Sequence, residues 1–291
     1  MRREKLLGFN SHQTGMHANS PCLNGEIQPA PPRSHQEQKP VWGIVGETRY
    51  KRGGGSLAKL SPRQHGCVIE RFPFMLLYSG PVSPFARKVE IALHEKGLTF
   101  DRVMVPFTQQ AGYTPKHPVV LQHNPRGQVP VLIDGDIALF DSTIMLEYLE
   151  DAYPTPPLYP TGAKRRARCR MLEHFADEIM LPPLRILMRR TESRRAPQAE
   201  EDAAEATLRT FYDQLEQKLG GDGYFCGDVS VADIGIFIDL LYAHRLRGPG
   251  LDGHPRLAGW YGRVAARPAF ARIVDEIAAA DRELSPPLDA I

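Results

Sequence analysis

The sequence has no apolar run approaching the roughly 20 residues needed to cross a bilayer, so nothing in it calls for a membrane-spanning protein. It also lacks a charge excess. Lys and Arg total 36 against 34 Asp and Glu, a formal net charge of +2, too small to demand nucleic acid or an anionic membrane as partner. Cysteine is scarce: the four residues, Cys22, Cys67, Cys169 and Cys226, are far apart and show neither C-x-x-C nor Cys/His ligand spacing. Neither a disulfide framework nor a structural metal site is therefore expected, and a reducing, cytoplasmic setting is the default.

Residues 1–74 lack something further, a repeat of apolar positions at helical or strand period. They carry 11 Lys/Arg against 5 Asp/Glu, with Pro29, Pro31, Pro32 and Gly53 to Gly55 as punctuation. Such a segment cannot bury enough apolar surface to offset its ordering entropy, and disorder is expected for it. Leu6-Leu7-Gly8-Phe9 is too short for the apolar core of a secretory signal, and no sustained amphipathic pattern supports a transit peptide. Met75, directly before the first strand, is the expected real or alternative start.

What is present begins there. With 291 residues and 42% hydrophobic content the chain can bury a large core, and its length points to about two domains. Phe74 to Tyr78 reads as a short apolar strand, followed by a Gly-Pro turn and a helix opened by Ser83 with Pro84 just inside it. A Ser N-cap accepts from orphan backbone N–H groups and Pro at the first helical position has none to waste. Phe85, Val89, Ala92 and Leu93 share one face, and Gly97 stops the helix. Ser83 is thereby expected at the positive end of a helix dipole, where a thiolate would be stabilised.

Thr99 to Val105 predicts a second strand beside the first in a right-handed βαβ unit, and residues 106–124 a loop with at most one helical turn. Val129 to Ile133 and Ile137 to Phe140 bracket Asp134-Gly135-Asp136, a hairpin signal. Asp141-Ser142-Thr143 then caps a helix that ends at Pro154, and the Pro-rich stretch 156–162 reads as a linker. From 163 the strands disappear. The periodicity predicts a long helix broken at Pro182-Pro183, an amphipathic helix over 203–219, and a capping box, Ser230-Val231-Ala232-Asp233, opening an apolar helix. The predicted fold class is an α/β domain over 75–155 followed by an all-α helical domain over 163–291.

Three motifs stand in order: Ser83-Pro84-Phe85-Ala86-Arg87; Asn124-Pro125-Arg126-Gly127-Gln128-Val129-Pro130-Val131-Leu132 with Asp141-Ser142; and Ser230-Val231-Ala232-Asp233. Together they resemble the cytosolic glutathione transferase superfamily over essentially all of 75–285. The resemblance implies a thioredoxin-like domain that binds glutathione as cosubstrate, with no prosthetic group, no metal and a homodimeric assembly. It implies that the Ser83 hydroxyl donates to the glutathione thiolate, with Tyr78 and Ser79 as less favoured alternatives. A cis Val129-Pro130 bond would turn the Val129 backbone toward the cysteinyl part of the tripeptide. Asp141 and Ser142 would take its γ-glutamyl end, although the family more often has Glu at position 141. Gln128 would contact the remainder, with His117 and Lys116 as weaker candidates. The hydrophobic electrophile would lie against the 163–190 helix, where His174, Met171 and Met180 are as readily core. The implied activity is conjugation of glutathione to such an electrophile. An isomerase or dehalogenase that returns glutathione is the alternative, although the isomerase branch's Ser-Ser-Cys run is missing, and a non-catalytic glutathione-binding scaffold is another.

Overall fold

The structure, a computed structural model, describes residues 75–192, 195–219 and 223–285. The disorder expected of residues 1–74, and the alternative start argued from it, lie outside the described residues. So does the chain end beyond Ser285.

Four strands form one mixed sheet: β1 (Met75–Ser79), β2 (Asp101–Met104), β3 (Val131–Asp134) and β4 (Ile137–Phe140), in the order β2-β1-β3-β4. β1 and β2 are parallel, with α1 (Pro84–Glu95) as the crossover expected of a βαβ unit. β3 runs antiparallel to β1 and pairs with β4 through the predicted hairpin, where Gly135 has φ 59°. Gly97, at φ 64°, ends the turn after α1. Between β2 and β3 the chain makes α2 (Pro118–His123), one short helix that His117 caps by accepting from the Val119 N–H. α3 (Ser142–Ala152) closes this half.

The helical half comprises α4 (Ala163–His174), a π-helical turn over Phe175–Met180, α5 (Leu181–Met188), α6 (Gln198–Lys218), α7 (Val231–Arg245), α8 (Pro255–Ala265) and α9 (Pro268–Leu284). The break in the first long helix is thus the π turn, not Pro182-Pro183. Both prolines sit in the first turn of α5, where a missing N–H costs little. The capping box forms as predicted: Ser230 N and Oγ donate to Asp233 Oδ2 at 3.0 and 2.7 Å. The other carboxylate oxygen accepts from Phe225 N and Trp260 Nε1, tying the loop and α8 to the start of α7.

α1 departs most from expectation. Eight successive residues, Ala86 to Leu93, are buried, because the helix lies against α3 on one side and α7 and α9 on others. Its charged residues are consequently buried and paired. Arg87 reaches Glu90 and Glu276, each at 2.8 Å, and donates to the Pro81 carbonyl. Lys88 Nζ lies 2.6 Å from Glu173 and 2.5 Å from Asp177. Burial opposes the Lys88 charge, but the Asp177 and Glu173 carboxylates outweigh it and raise its pKa. Glu276 is held down at about 2: burial pushes its pKa up, and hydrogen bonds from Arg102 and Arg272 more than reverse that.

Asp239 on α7 lacks such compensation. It is buried, its Oδ2 has no hydrogen-bond partner among the described residues, and burial, aided by Asp177 and opposed by Lys88, raises its pKa well above 3.8. The folded protein therefore takes up a proton that the unfolded chain has released, so stability falls as pH rises from the unfolded value toward the raised one. Asp239→Asn should be more stable than wild type at neutral pH and should lose that pH slope. Urea midpoints at pH 5 and pH 8 check this, and an identical slope in the two proteins would contradict it.

Candidate active site

One cavity of about 180 Å³ lies where the sheet half meets the helical half. Its sheet-side wall comes from the loop after α2 and from the β4–α3 junction: Asn124, Arg126, Gln128, Val129, Pro130, Phe140, Asp141, Ser142 and Thr143. α1 contributes Phe85. The far wall is Asp177 and Glu178 from the π turn and Arg185 from α5.

Local chemistry explains each position. Asn124, buried at the end of α2, accepts from Arg126 N at 2.9 Å and donates to the Gln128 carbonyl at 2.6 Å, fixing the loop in a tight arc. Gly127 completes that arc at φ 58°, a conformation that disfavours any side chain. Val129–Pro130 is cis, as the resemblance implies, and Val129 is buried. Asp141 caps α3 by accepting from Thr143 N at 3.0 Å and Ile144 N at 3.4 Å. It does so at φ 76°, where a non-glycine residue is strained, and such outliers concentrate at ligand sites. Ser142, the first residue of α3, is buried at the positive end of the helix.

Five of the six residues singled out from the sequence, Gln128, Val129, Pro130, Asp141 and Ser142, therefore line one cavity. Ser83 does not. It is only 6% exposed, and its Oγ caps α1 by accepting from Ala86 N at 3.3 Å. That bond uses a lone pair and leaves the hydroxyl proton for another acceptor. Among the alternatives, Tyr78 is buried against the His117 ring, with centroids 5.0 Å apart, and Ser79 is buried and donates to Glu90. Of the residues weighed on the 163–190 stretch, Met180 is core and Met171 lines a separate hollow with Leu172, Phe175 and Phe225. The residues that do reach the cavity from that stretch are Asp177 and Glu178, within the π turn, and Arg185, after it. The sequence carried no local signal for them, since one extra residue in a helical turn changes which side chains face the cleft.

The cavity offers cations, anions, backbone polar groups and an apolar edge within a small volume. That inventory suits a short zwitterionic peptide with one apolar neighbour rather than a purely hydrophobic ligand. Among the described residues no group of His, Cys, Asp and Glu is arranged to hold a metal ion, and no helix is long and apolar enough to cross a membrane.

Residues 77–157 match the model of the glutathione S-transferase N-terminal domain, and residues 175–268 that of the C-terminal domain. Glutathione S-transferase 3 of Zea mays is 32% identical over 69% of this chain and 93% of its own length. A stringent starvation protein A homolog of Coxiella burnetii is 31% identical over 63% of this chain and 81% of its own. Among solved structures, a glutathione S-transferase of Methylobacterium radiotolerans in complex with glutathione sulfonate is 28% identical, with a TM-score of 0.58 over 69% of this chain and 94% of that one. Sequence motifs, fold and these relatives agree: the chain belongs to the cytosolic glutathione transferase superfamily.

Proposed function

We propose that the protein is a glutathione transferase: it binds glutathione in this cavity and conjugates the tripeptide's thiolate to a small electrophile held against the helical half. The observation that carries the proposal is the convergence of Gln128, Val129, Pro130, Asp141 and Ser142 on one cavity. In this account the α3 N-terminus and the Ser142 hydroxyl bind the γ-glutamyl carboxylate, and Asp141 or Glu178 meets its ammonium. The Val129 backbone pairs with the cysteinyl unit. Gln128 and Arg126 serve the glycyl end. The sulfur then points toward Phe85 and the start of α1, where the helix dipole and the Ser83 hydroxyl proton favour the charged form. A serine cannot itself form a mixed disulfide, which favours addition or displacement by the thiolate over thiol–disulfide exchange. Glutathione is the cosubstrate and the role is detoxification in the cytoplasm. The assembly is a homodimer, which the exposed apolar Ile137 and Ile144 would suit.

Titration with glutathione, followed by assay against aryl halides, epoxides, peroxides and maleyl compounds, tests this. Conjugation of at least one class is expected. Glutathione binding with no turnover of any would favour a glutathione-binding scaffold instead, a second account that the burial of Ser83 supports. Ser142→Ala should raise KM for glutathione about tenfold with kcat little changed, since the lost hydrogen bond to a carboxylate serves ground state and transition state alike. A fall in kcat at constant KM would remove Ser142 from this role.

A further inference from the structure

Among the described residues the buried arginines are Arg87 and Arg190, and each sits within 3 Å of a carboxylate oxygen, as do the less buried Arg102 and Arg267. Arg185, an exposed residue, differs. It lines the cavity from α5, its guanidinium carbon stands 5.9 Å from the centroid of the Phe85 ring, and no carboxylate or carbonyl among the described residues bonds its side chain. The acidic residues lining the cavity are Asp141, which caps α3, Asp177, which is committed to Lys88 and Thr143, and Glu178. Phe85 is the second residue of α1, so the pair flanks the helix start toward which the glutathione sulfur is taken to point.

In the proposed binding mode the charges of glutathione are met without Arg185: its two carboxylates fall to Ser142 with the α3 N-terminus and to Arg126, and its ammonium to Asp141 or Glu178, all of which line the cavity. The Arg185 guanidinium therefore remains for the electrophile, on the helical side of the cleft and over an aromatic ring. A planar guanidinium in that position matches a carboxylate in two parallel hydrogen bonds, and the ring beneath accepts a flat, unsaturated carbon chain.

We propose that the electrophile this enzyme takes is an unsaturated acid, an activated carbon–carbon double bond bearing a carboxylate that Arg185 holds over the Phe85 ring. This rests on the cleft being the glutathione site. In the reaction the thiolate sulfur forms a bond to one alkene carbon and the π pair moves to the other, giving an enolate. Solvent water protonates that carbon, which replaces the proton glutathione gave up at sulfur. No oxidant or reductant enters.

The probes are 3-benzoylacrylic acid and its methyl ester, two acceptors of the same skeleton that differ in one charge. The readout is the ratio, acid to ester, of the enzymic kcat/KM, each divided by its uncatalysed rate constant with glutathione. The wild type should favour the acid by about tenfold, the scale of one charge-assisted hydrogen bond. Arg185→Gln should bring the ratio close to one, and Arg185→Lys should retain part of the preference. A wild-type ratio near one, or a ratio that Arg185→Gln leaves unchanged, would overturn the proposal while leaving glutathione conjugation standing. Failure of calorimetric glutathione binding together with no turnover of either probe would overturn the glutathione site itself and the proposal with it.

Discussion

Ser83→Ala should lower kcat for glutathione conjugation roughly a hundredfold, the scale of one lost donor to a developing or fixed negative charge. The expectation follows from two facts about the start of α1. Ser83 Oγ accepts from Ala86 N, which spends a lone pair and not the proton, and the helix N-terminus places partial positive charge at the same spot. A thiolate arriving beside Phe85 would gain both. The same substitution removes an N-cap and should cost about 1 kcal/mol of stability, so activity must be compared well below the unfolding transition. Ser83→Thr separates the two effects, because threonine keeps both cap and hydroxyl and should retain most of the rate. A fall in kcat of less than threefold in Ser83→Ala would place thiolate stabilisation elsewhere.

Lys88→Met should destabilise the protein by about 3–5 kcal/mol, the usual cost of deleting one member of a buried ionic cluster. Lys88 is the positive centre between Glu173 on α4 and Asp177 on the π turn, and Thr143 at the start of α3 donates to Glu173 at 2.8 Å. Methionine fills the space but leaves two carboxylates without their counter-charge. Because Asp177 and Thr143 also line the cavity, the loss should be accompanied by weaker glutathione binding. Urea unfolding reads the stability change. A shift of under 1 kcal/mol with unaltered slope would show that solvent, not Lys88, satisfies those carboxylates.

Local signals carried most of what could be read without coordinates. The Ser83-Pro84 helix start, the Asp134-Gly135-Asp136 hairpin and the Ser230–Asp233 capping box each depend on residues a few positions apart, and each forms. The same holds for the five residues in the cavity, whose backbone is shaped by neighbouring turns and caps. Long-range facts were not legible. Arg87, Lys88 and Glu90 resemble a solvated helix face until Glu276 and Glu173, far along the chain, are brought against them. The π turn has no residue signature comparable to proline, so Pro182-Pro183 drew the predicted break a few residues too late. Of the short helix Pro118–His123 no more than a single turn was legible, because its cap is His117, a residue type that rarely announces a helix start.

The thiol pKa of glutathione bound to the protein, followed by thiolate absorbance during a pH titration, bears most directly on the role given to the start of α1. Wild type should ionise the bound thiol at least one unit below the free thiol's value of about 8.5, and Ser83→Ala should return it most of the way. A bound thiol that titrates like the free one, or at the same pH in both proteins, would contradict the account.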